Sequence, residues 1–279
     1  MTMLKKLFDF YINSSIHVAL SVFSLTWITL LEYDIPYDTD VLYFVFFSSI
    51  TGYNFVKYFG ISKFHIRLAT WLKAIQVFSF FSFLMLCYYI LKLNTASLLC
   101  IVGFGLVTFF YTMPFLPTRF FIENQYNLRR ISGLKVYFIA FVWSGVTVFL
   151  PLINNDRSID GDVVITSIQR FLFVIVLMLP FEIRDLQYDS LKLATIPQKI
   201  GVRWTKIIGA LLLICFCFLE FFKNNVTLNY LIVLFAIALI TMLFVIVSKK
   251  NQGIYYSSFF VEGLPILWLI MLLFLNYFN

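Results

Sequence analysis

The sequence predicts an all-α, polytopic membrane protein in which nine transmembrane helices form one bundle. The composition is the first observation: of 279 residues, 61% are hydrophobic and 13% charged, and the mean hydropathy is +0.91. Soluble domains carry about 45–50% apolar and about 25% charged residues. The second is a series of continuous apolar runs, each close to the ~20 residues that a bilayer-spanning helix needs. A soluble globule, a disordered chain and a nucleic-acid-binding domain are excluded.

The nine predicted spans are apolar runs bounded by charged or turn-forming residues. They cover 14–31, 41–60, 69–91, 96–114, 134–153, 163–181, 205–222, 227–247 and 256–278. Short connections between them leave no room for a separate soluble domain, so residues 1–279 are predicted to be a single transmembrane domain. The short N-terminal segment is followed by an apolar run with no small-residue cleavage signature, which predicts a first spanning helix and not a removed signal peptide.

The basic residues predict the orientation in the membrane. If the N-terminus is cytoplasmic, 17 of the 21 Lys and Arg residues fall on the cytoplasmic side, as the positive-inside rule requires. The predicted protein is therefore an integral, multi-pass protein of the cell inner membrane, with the N-terminus in the cytoplasm and the C-terminus outside. Membrane lipid is its expected surrounding partner, and no nucleic-acid partner is expected.

Three acidic residues depart from this charge pattern because they lie in the most basic cytoplasmic loop. Glu182, Asp185 and Asp189 are spaced i, i+3 and i+7, which places them on one face of a helix. Carboxylates stacked in this way repel one another unless a cation lies among them, and Mg²⁺ is commonly held by carboxylates together with substrate phosphates. Lys192 would lie near the same face and could contact a phosphate. The alternative is a solvated helix end that Arg184 and Lys192 neutralise.

The acidic segment and the residues after it resemble a motif of a known family. The segment from Glu182 to Asp189 reads E-I-R-D-L-Q-Y-D, and the tail from Thr195 to Gly201 reads T-I-P-Q-K-I-G. Together they resemble the second aspartate-rich motif of the UbiA superfamily of intramembrane prenyltransferases, with Glu182 in place of the first aspartate. The resemblance implies nine transmembrane helices and a cytoplasmic-side active site. It also implies transfer of a prenyl chain from a prenyl diphosphate to a lipophilic, often aromatic, acceptor.

Two further stretches resemble the same family in order and spacing. The first combines Tyr111-Thr-Met-Pro114 with Leu128-Arg129 and Gly133-Leu134-Lys135, and the second is Glu262-Gly263-Leu264-Pro265. The resemblance implies that Glu182, Asp185 and Asp189 are catalytic residues that ligate Mg²⁺. It also adds Tyr111, Arg129 and Lys135 as predicted substrate-binding residues, beside Lys192, which the helical spacing places near the acids.

The chain departs from the family at the first aspartate-rich motif. Asn54 is kept, but Phe55, Tyr58 and Ser62 replace the three acids. The carboxylate set around Glu182 therefore predicts a single magnesium cluster. We interpret Asn54 and Lys57 as substrate-binding, and Lys57, with Arg129 and Lys135, as the cations that complete a diphosphate cradle. The alternative for Lys57 is a lysine that extends to the lipid headgroups.

An allylic cation formed in such a reaction needs a dry pocket with aromatic faces. Tyr53, Tyr58, Tyr111 and Tyr188 each lie near a motif and are candidates for that lining. Most of the other Phe and Tyr residues are interpreted as packing or lipid-facing.

Two alternatives to a prenyltransferase stay open. The degenerate first motif is also compatible with a non-catalytic UbiA-like protein that binds an isoprenoid lipid or acts as a membrane scaffold. An unrelated transporter is the other alternative, for which an essential charge within the membrane would be required, and Glu262 is the candidate.

Overall fold

The computed structural model describes residues 3–58, 70–112, 133–187 and 195–277, and these are all helical or connecting segments. The α-helices are α1 (Met3–Asn13), α2 (Ile16–Glu32), α3 (Thr39–Tyr58), α4 (Thr70–Ile90), α5 (Thr95–Thr112), α6 (Leu134–Ser144), α7 (Leu150–Asn154), α8 (Gly161–Asp185), α9 (Ile196–Leu219), α10 (Leu228–Val247) and α11 (Leu264–Tyr277). A π-helical segment, Gly145–Phe149, joins α6 to α7, and another, Tyr256–Val261, precedes α11.

Six helical segments within the described residues are long and apolar enough to cross a membrane. A seventh is present if the bent pair of α1 and α2 counts as one span. The chain is thus a multi-pass membrane protein, but the predicted count of nine spans is not confirmed. The two predicted runs that fall short correspond to α3 and α5: α3 carries serine, threonine, asparagine and lysine along its second half, and the apolar stretch of α5 covers only Thr95–Phe110.

Helix α8 lies at the centre of the bundle. It packs against α6, α9 and α10, while α2 packs against α3 and α11, and α3 against α4. The sequence of α8 explains this position because residues 173–179 are apolar on every side of the helix, and all seven are buried. A T-shaped aromatic contact of Trp268 on α11 with Phe173, at 5.1 Å between ring centroids, fixes the middle of the bundle.

Each end of the bundle has a polar cluster. We call the end where α3 and α8 finish and α9 begins the site end, and the opposite end the far end. At the far end, Lys223 Nζ lies 2.6 Å from Glu32 Oε1 and 2.8 Å from Glu220 Oε2. Gln169 donates to the same Glu220 oxygen and Thr166 to the same Glu32 oxygen, each at 2.9 Å. Burial alone would lower the pKa of Lys223, but the two carboxylates outweigh it and raise the pKa above its usual value.

Arg170 completes the far-end cluster from within α8. Its guanidinium is fully buried, lies 5.0 Å from the Trp268 ring centre and donates to Thr29 Oγ1 at 3.4 Å. A cavity of about 20 Å³ adjoins it, lined in part by Tyr230 and Glu220, with room for about one water molecule. Lys223, Glu220 and Arg170 are thus buried, and the far-end cluster is largely removed from solvent.

Candidate functional site

The last turn of α8 carries Glu182 and Asp185, two of the three acids that are predicted to bind a metal ion. Glu182 is buried, and Asp185, one turn later, is partly exposed. Lys135 on α6 places its Nζ 3.6 Å from Glu182 Oε1 and 3.7 Å from Asp185 Oδ2. The i, i+3 spacing therefore places the two carboxylates on the same face of α8. The ammonium group of Lys135 lies between them.

Asp185 also has a second cationic partner. Arg184 approaches Asp185 Oδ1 with Nη2 at 2.8 Å and donates from Nε to the same oxygen at 2.9 Å. The Arg184 guanidinium lies 5.3 Å from the Phe181 ring centre, which orients it. The acidic turn is therefore bounded by two positive charges, an arrangement that could bind a diphosphate or hold a divalent cation.

Several predicted site residues lie outside the described part of the chain. Asp189, Arg129 and Lys192 are among them, and of Tyr111 only the helical backbone of α5 is described. Their roles stay predictions. Within the described ranges, no group of three or more His, Cys, Asp or Glu side chains is placed to hold a metal ion.

Lys57 lies at the same end of the bundle, at the end of α3. Its Nζ donates to the Asn13 carbonyl oxygen and to Ser15 Oγ, each at 3.3 Å, across the break between α1 and α2. Ser15 in turn donates to Asn54 Oδ1 at 2.8 Å. Lys57 is thus held at the surface of the site end by contacts with the start of the chain.

Asn54 is buried and bonded within the bundle. Its amide nitrogen donates to the Ser14 carbonyl oxygen at 3.0 Å and to Ser79 Oγ at 2.7 Å. Together with the bond from Ser15, these contacts tie α2, α3 and α4 together. The side chain therefore positions the segment that carries Lys57.

Glu262 links the two cationic groups of the site end. It follows the π-helical segment, immediately before α11, and it is within electrostatic reach of both Lys57 and Arg184. The side-chain oxygen of Ser21 donates to the Glu262 backbone carbonyl. From the sequence, Glu262 was predicted only as part of the second family-like stretch and as a candidate charge within the membrane, not as a neighbour of the acidic turn.

The sequence analysis missed a buried histidine beside Glu262. His17 Nε2 donates to the Phe259 carbonyl oxygen at 2.8 Å, and Tyr11 OH lies 2.7 Å from His17 Nδ1. Because Nε2 faces a carbonyl oxygen, the neutral ring carries its proton there and Tyr11 donates to Nδ1. The available signal was a histidine within an apolar run, where burial requires hydrogen-bond partners.

The aromatic candidates are only partly described. Tyr53 on α3 accepts a hydrogen bond from Trp143 Nε1 at 2.9 Å, and the two rings lie 6.4 Å apart. Trp143 is buried in the core of the bundle, and Tyr53 packs against that core. The side chains of Tyr58, Tyr111 and Tyr188 lie outside the described residues.

The tail after the acidic segment forms the start of α9. Thr195 is its N-cap residue and donates its backbone N–H to Gln198 Oε1 at 3.0 Å, and Pro197 lies in the first turn, where a missing N–H costs nothing. Gly201 has φ +79°, a conformation that favours glycine. The tail residues thus set where α9 begins at the site end.

Comparison with known proteins supports the overall fold, but it does not identify substrates or site residues. No protein-family model matches the chain, and no curated protein matches it significantly. The solved structure of a digeranylgeranylglyceryl phosphate synthase, described in membranes, aligns over 97% of this chain and 96% of its own, with a TM-score of 0.58 and 14% sequence identity. The chain therefore has the overall fold of that synthase.

Proposed function

We propose that the chain is a UbiA-type membrane prenyltransferase. It would transfer a prenyl group from a prenyl diphosphate to a lipophilic, aromatic acceptor at the site end. The observation that carries this proposal is the pair of carboxylates, Glu182 and Asp185, that meet at Lys135 on the end of the central helix. The fold shared with a synthase of a geranylgeranyl lipid supports it.

Mg²⁺ is the proposed cofactor, in one cluster. Mg²⁺ is usually held by one or two carboxylates together with substrate phosphates, and Glu182 and Asp185 supply two oxygens that already converge on one cation. Asp189 is the proposed third ligand. Bound there, the ion would neutralise negative charge that develops on the departing diphosphate.

The protein's own cations have the remaining roles. Lys135 and Arg184 lie directly beside the acids, and we assign them to the diphosphate oxygens. Lys57 is assigned to the same diphosphate from α3, in the place where the family's first acidic motif is missing. Arg129, Lys192 and Tyr111 complete the proposed substrate contacts. In the transfer, the allylic C–O bond breaks, the new bond forms to the acceptor, and the acceptor's proton is lost.

We place the site end on the cytoplasmic side of the inner membrane, with the N-terminus inside and the C-terminus outside. The asymmetry of the basic residues supports this orientation. Reporter fusions at the two ends of the chain test it. A fluorescent protein that folds only in the cytoplasm should fluoresce at the N-terminus and not at the C-terminus, and the reverse pattern would contradict the orientation.

The second candidate function is a non-catalytic isoprenoid-binding protein. Two observations favour it: Lys135 and Arg184 already pair with Glu182 and Asp185, and residues without charge replace the three acids of the first motif. Such a protein would bind a prenyl diphosphate without releasing pyrophosphate.

Binding of geranylgeranyl diphosphate to the purified protein tests the site that both candidates share. It is measured with and without Mg²⁺ for the wild type, for Asp185→Asn and for Asp156→Asn, an exposed acid at the far end that serves as the control. Magnesium-dependent binding that Asp185→Asn loses and Asp156→Asn keeps supports the proposed site. Pyrophosphate release then distinguishes the enzyme from the binding protein. Absence of binding under every condition would overturn both candidates.

A further inference from the structure

The first helix has two different halves. From Phe8 onward, α1 packs on the bundle: the Phe8 ring lies 5.0 Å from the rings of both Tyr255 and Phe259, and Phe10 lies 5.8 Å from Phe78. Tyr255 OH donates to Asp9 Oδ1 at 2.7 Å. The second half of α1 is therefore fixed to the site end through α4 and the segment before α11.

The first half of α1 extends beyond these contacts and exposes large apolar side chains. Met3 is 79% exposed, Leu4 81% and Leu7 59%. Leu4 is one turn before Phe8 and Leu7 is one turn before Tyr11, so the face that packs on the bundle continues along the helix as an uncovered apolar face. Lys5 and Lys6 are exposed and point away from it.

The position of α1 in the chain determines what can cover that face. Only Ser14 and Ser15 separate α1 from α2, the helix axes are bent by 53°, and Ser15 adopts a left-handed conformation at the corner. Because the predicted first span, residues 14–31, coincides with α2, which enters the bundle from the site end, α1 is left at the level of the membrane surface beside α4 and the segment before α11. An apolar face with lysines on the opposite side is the pattern of a helix that lies in the interface.

We propose that α1 binds the membrane leaflet at the site end, with Met3, Leu4 and Leu7 among the acyl chains and Lys5 and Lys6 on anionic lipid phosphates. The charge of the two lysines selects the headgroup. The partner is therefore an anionic phospholipid surface, and the site does not depend on the transfer reaction. Since Asn13 at the end of α1 binds Lys57, the leaflet and the candidate site are connected through one short helix.

Spin labels along α1 test the apolar contact. The full-length protein, with its four cysteines replaced by serine, is labelled at Leu4→Cys or Leu7→Cys and reconstituted in nanodiscs of phosphatidylcholine with phosphatidylglycerol. Labels at Lys5→Cys and Lys6→Cys are the matched controls on the opposite face. We expect positions 4 and 7 to be accessible to oxygen and protected from a water-soluble nickel complex, and positions 5 and 6 to show the reverse. Equal exposure of all four positions to the nickel complex would overturn the proposal.

The same spin labels test whether anionic lipid covers the apolar face of α1. Removing phosphatidylglycerol should shift positions 4 and 7 toward water, and Lys5→Gln with Lys6→Gln should abolish that shift while the protein stays monodisperse. If the lipid composition has no effect, the assignment of the lysines to anionic headgroups is wrong. Spin–spin broadening that disappears on dilution with unlabelled protein would show a second copy on the face and would overturn lipid as the occupant.

Discussion

Each end of the bundle places a lysine between two carboxylates, but the two lysines differ in exposure and in their distance from the acids. At the far end, Lys223 lies between Glu32 and Glu220 at 2.6 and 2.8 Å, and its side chain is 4% exposed. At the site end, Lys135 lies between Glu182 and Asp185 at 3.6 and 3.7 Å, and its side chain is 44% exposed.

Exposure and distance determine what each cluster can do. A tight ion pair that is removed from water is costly to break, because the remaining charge has no partner. A longer contact whose lysine is half exposed contributes less to stability, and solvent can replace that lysine. The far end is therefore suited to hold helices together, and the site end is suited to exchange its cation for a ligand.

The largest expected effect is that of Lys223→Met. The change leaves Glu32 and Glu220 buried without their shared cation, and the loss in unfolding free energy should be about 3–5 kcal/mol. Thermal unfolding of the detergent-solubilised protein, followed by tryptophan fluorescence, measures it. Lys223→Arg keeps the charge and is the control. An unchanged midpoint for Lys223→Met would show that the far end is not a structural cluster.

Lys135→Met should change ligand affinity more than it changes stability. Because Lys135 is half exposed and lies farther from its acids than Lys223 does, the loss of stability should be smaller than that of Lys223→Met, although Glu182 is buried. If Lys135 binds the diphosphate, the loss of a charged hydrogen bond, about 1.5–3 kcal/mol, predicts geranylgeranyl diphosphate affinity lower by at least about tenfold. Unchanged affinity together with a large loss of stability would make the two ends alike and would remove Lys135 from the proposed site.

The framework of the site end is tested by Gly263→Ala. A Cβ at Gly263 would lie 2.8 Å from the Phe259 carbonyl oxygen and 3.2 Å from the His17 ring. The resulting shift should cost about 1–3 kcal/mol. Gly52→Ala is the control, since no atom lies within 4 Å of its added Cβ. If both variants unfold at the wild-type temperature, the close contact between His17 and the segment before α11 is not required for stability.

The sequence predicted those parts of the site that depend on local spacing. Glu182 and Asp185 are three residues apart on one helix, so their common face follows from helical geometry alone, and in the structure both approach Lys135. Lys135 was reached through the family resemblance and not through spacing. Its contact with the acids depends on the packing of α6 against α8, which no local pattern encodes.

The parts that the sequence could not predict depend on contacts between distant segments. His17 bonds to Phe259 across 242 positions, and Glu262 comes near Lys57 and Arg184 only because α2, α3, α8 and the segment before α11 meet at one end. The bundle itself was predictable from apolar runs, whereas the count of nine spans stays a prediction, because α3 is partly polar and the apolar stretch of α5 is short.

The smallest and most selective effect is the pH dependence of the far end. The carboxylates hold the pKa of Lys223 above its usual value, so the folded state binds this proton more tightly than the unfolded state does. The contribution of Lys223 is then complete below its unfolded pKa of about 10.4 and is lost as the pH rises through the folded value. The stability difference between wild type and Lys223→Met should stay constant up to about pH 10 and decrease above it. A difference that already decreases between neutral pH and pH 9 would mean that Lys223 is not held by Glu32 and Glu220, and the contrast between a closed end and an open end would fail.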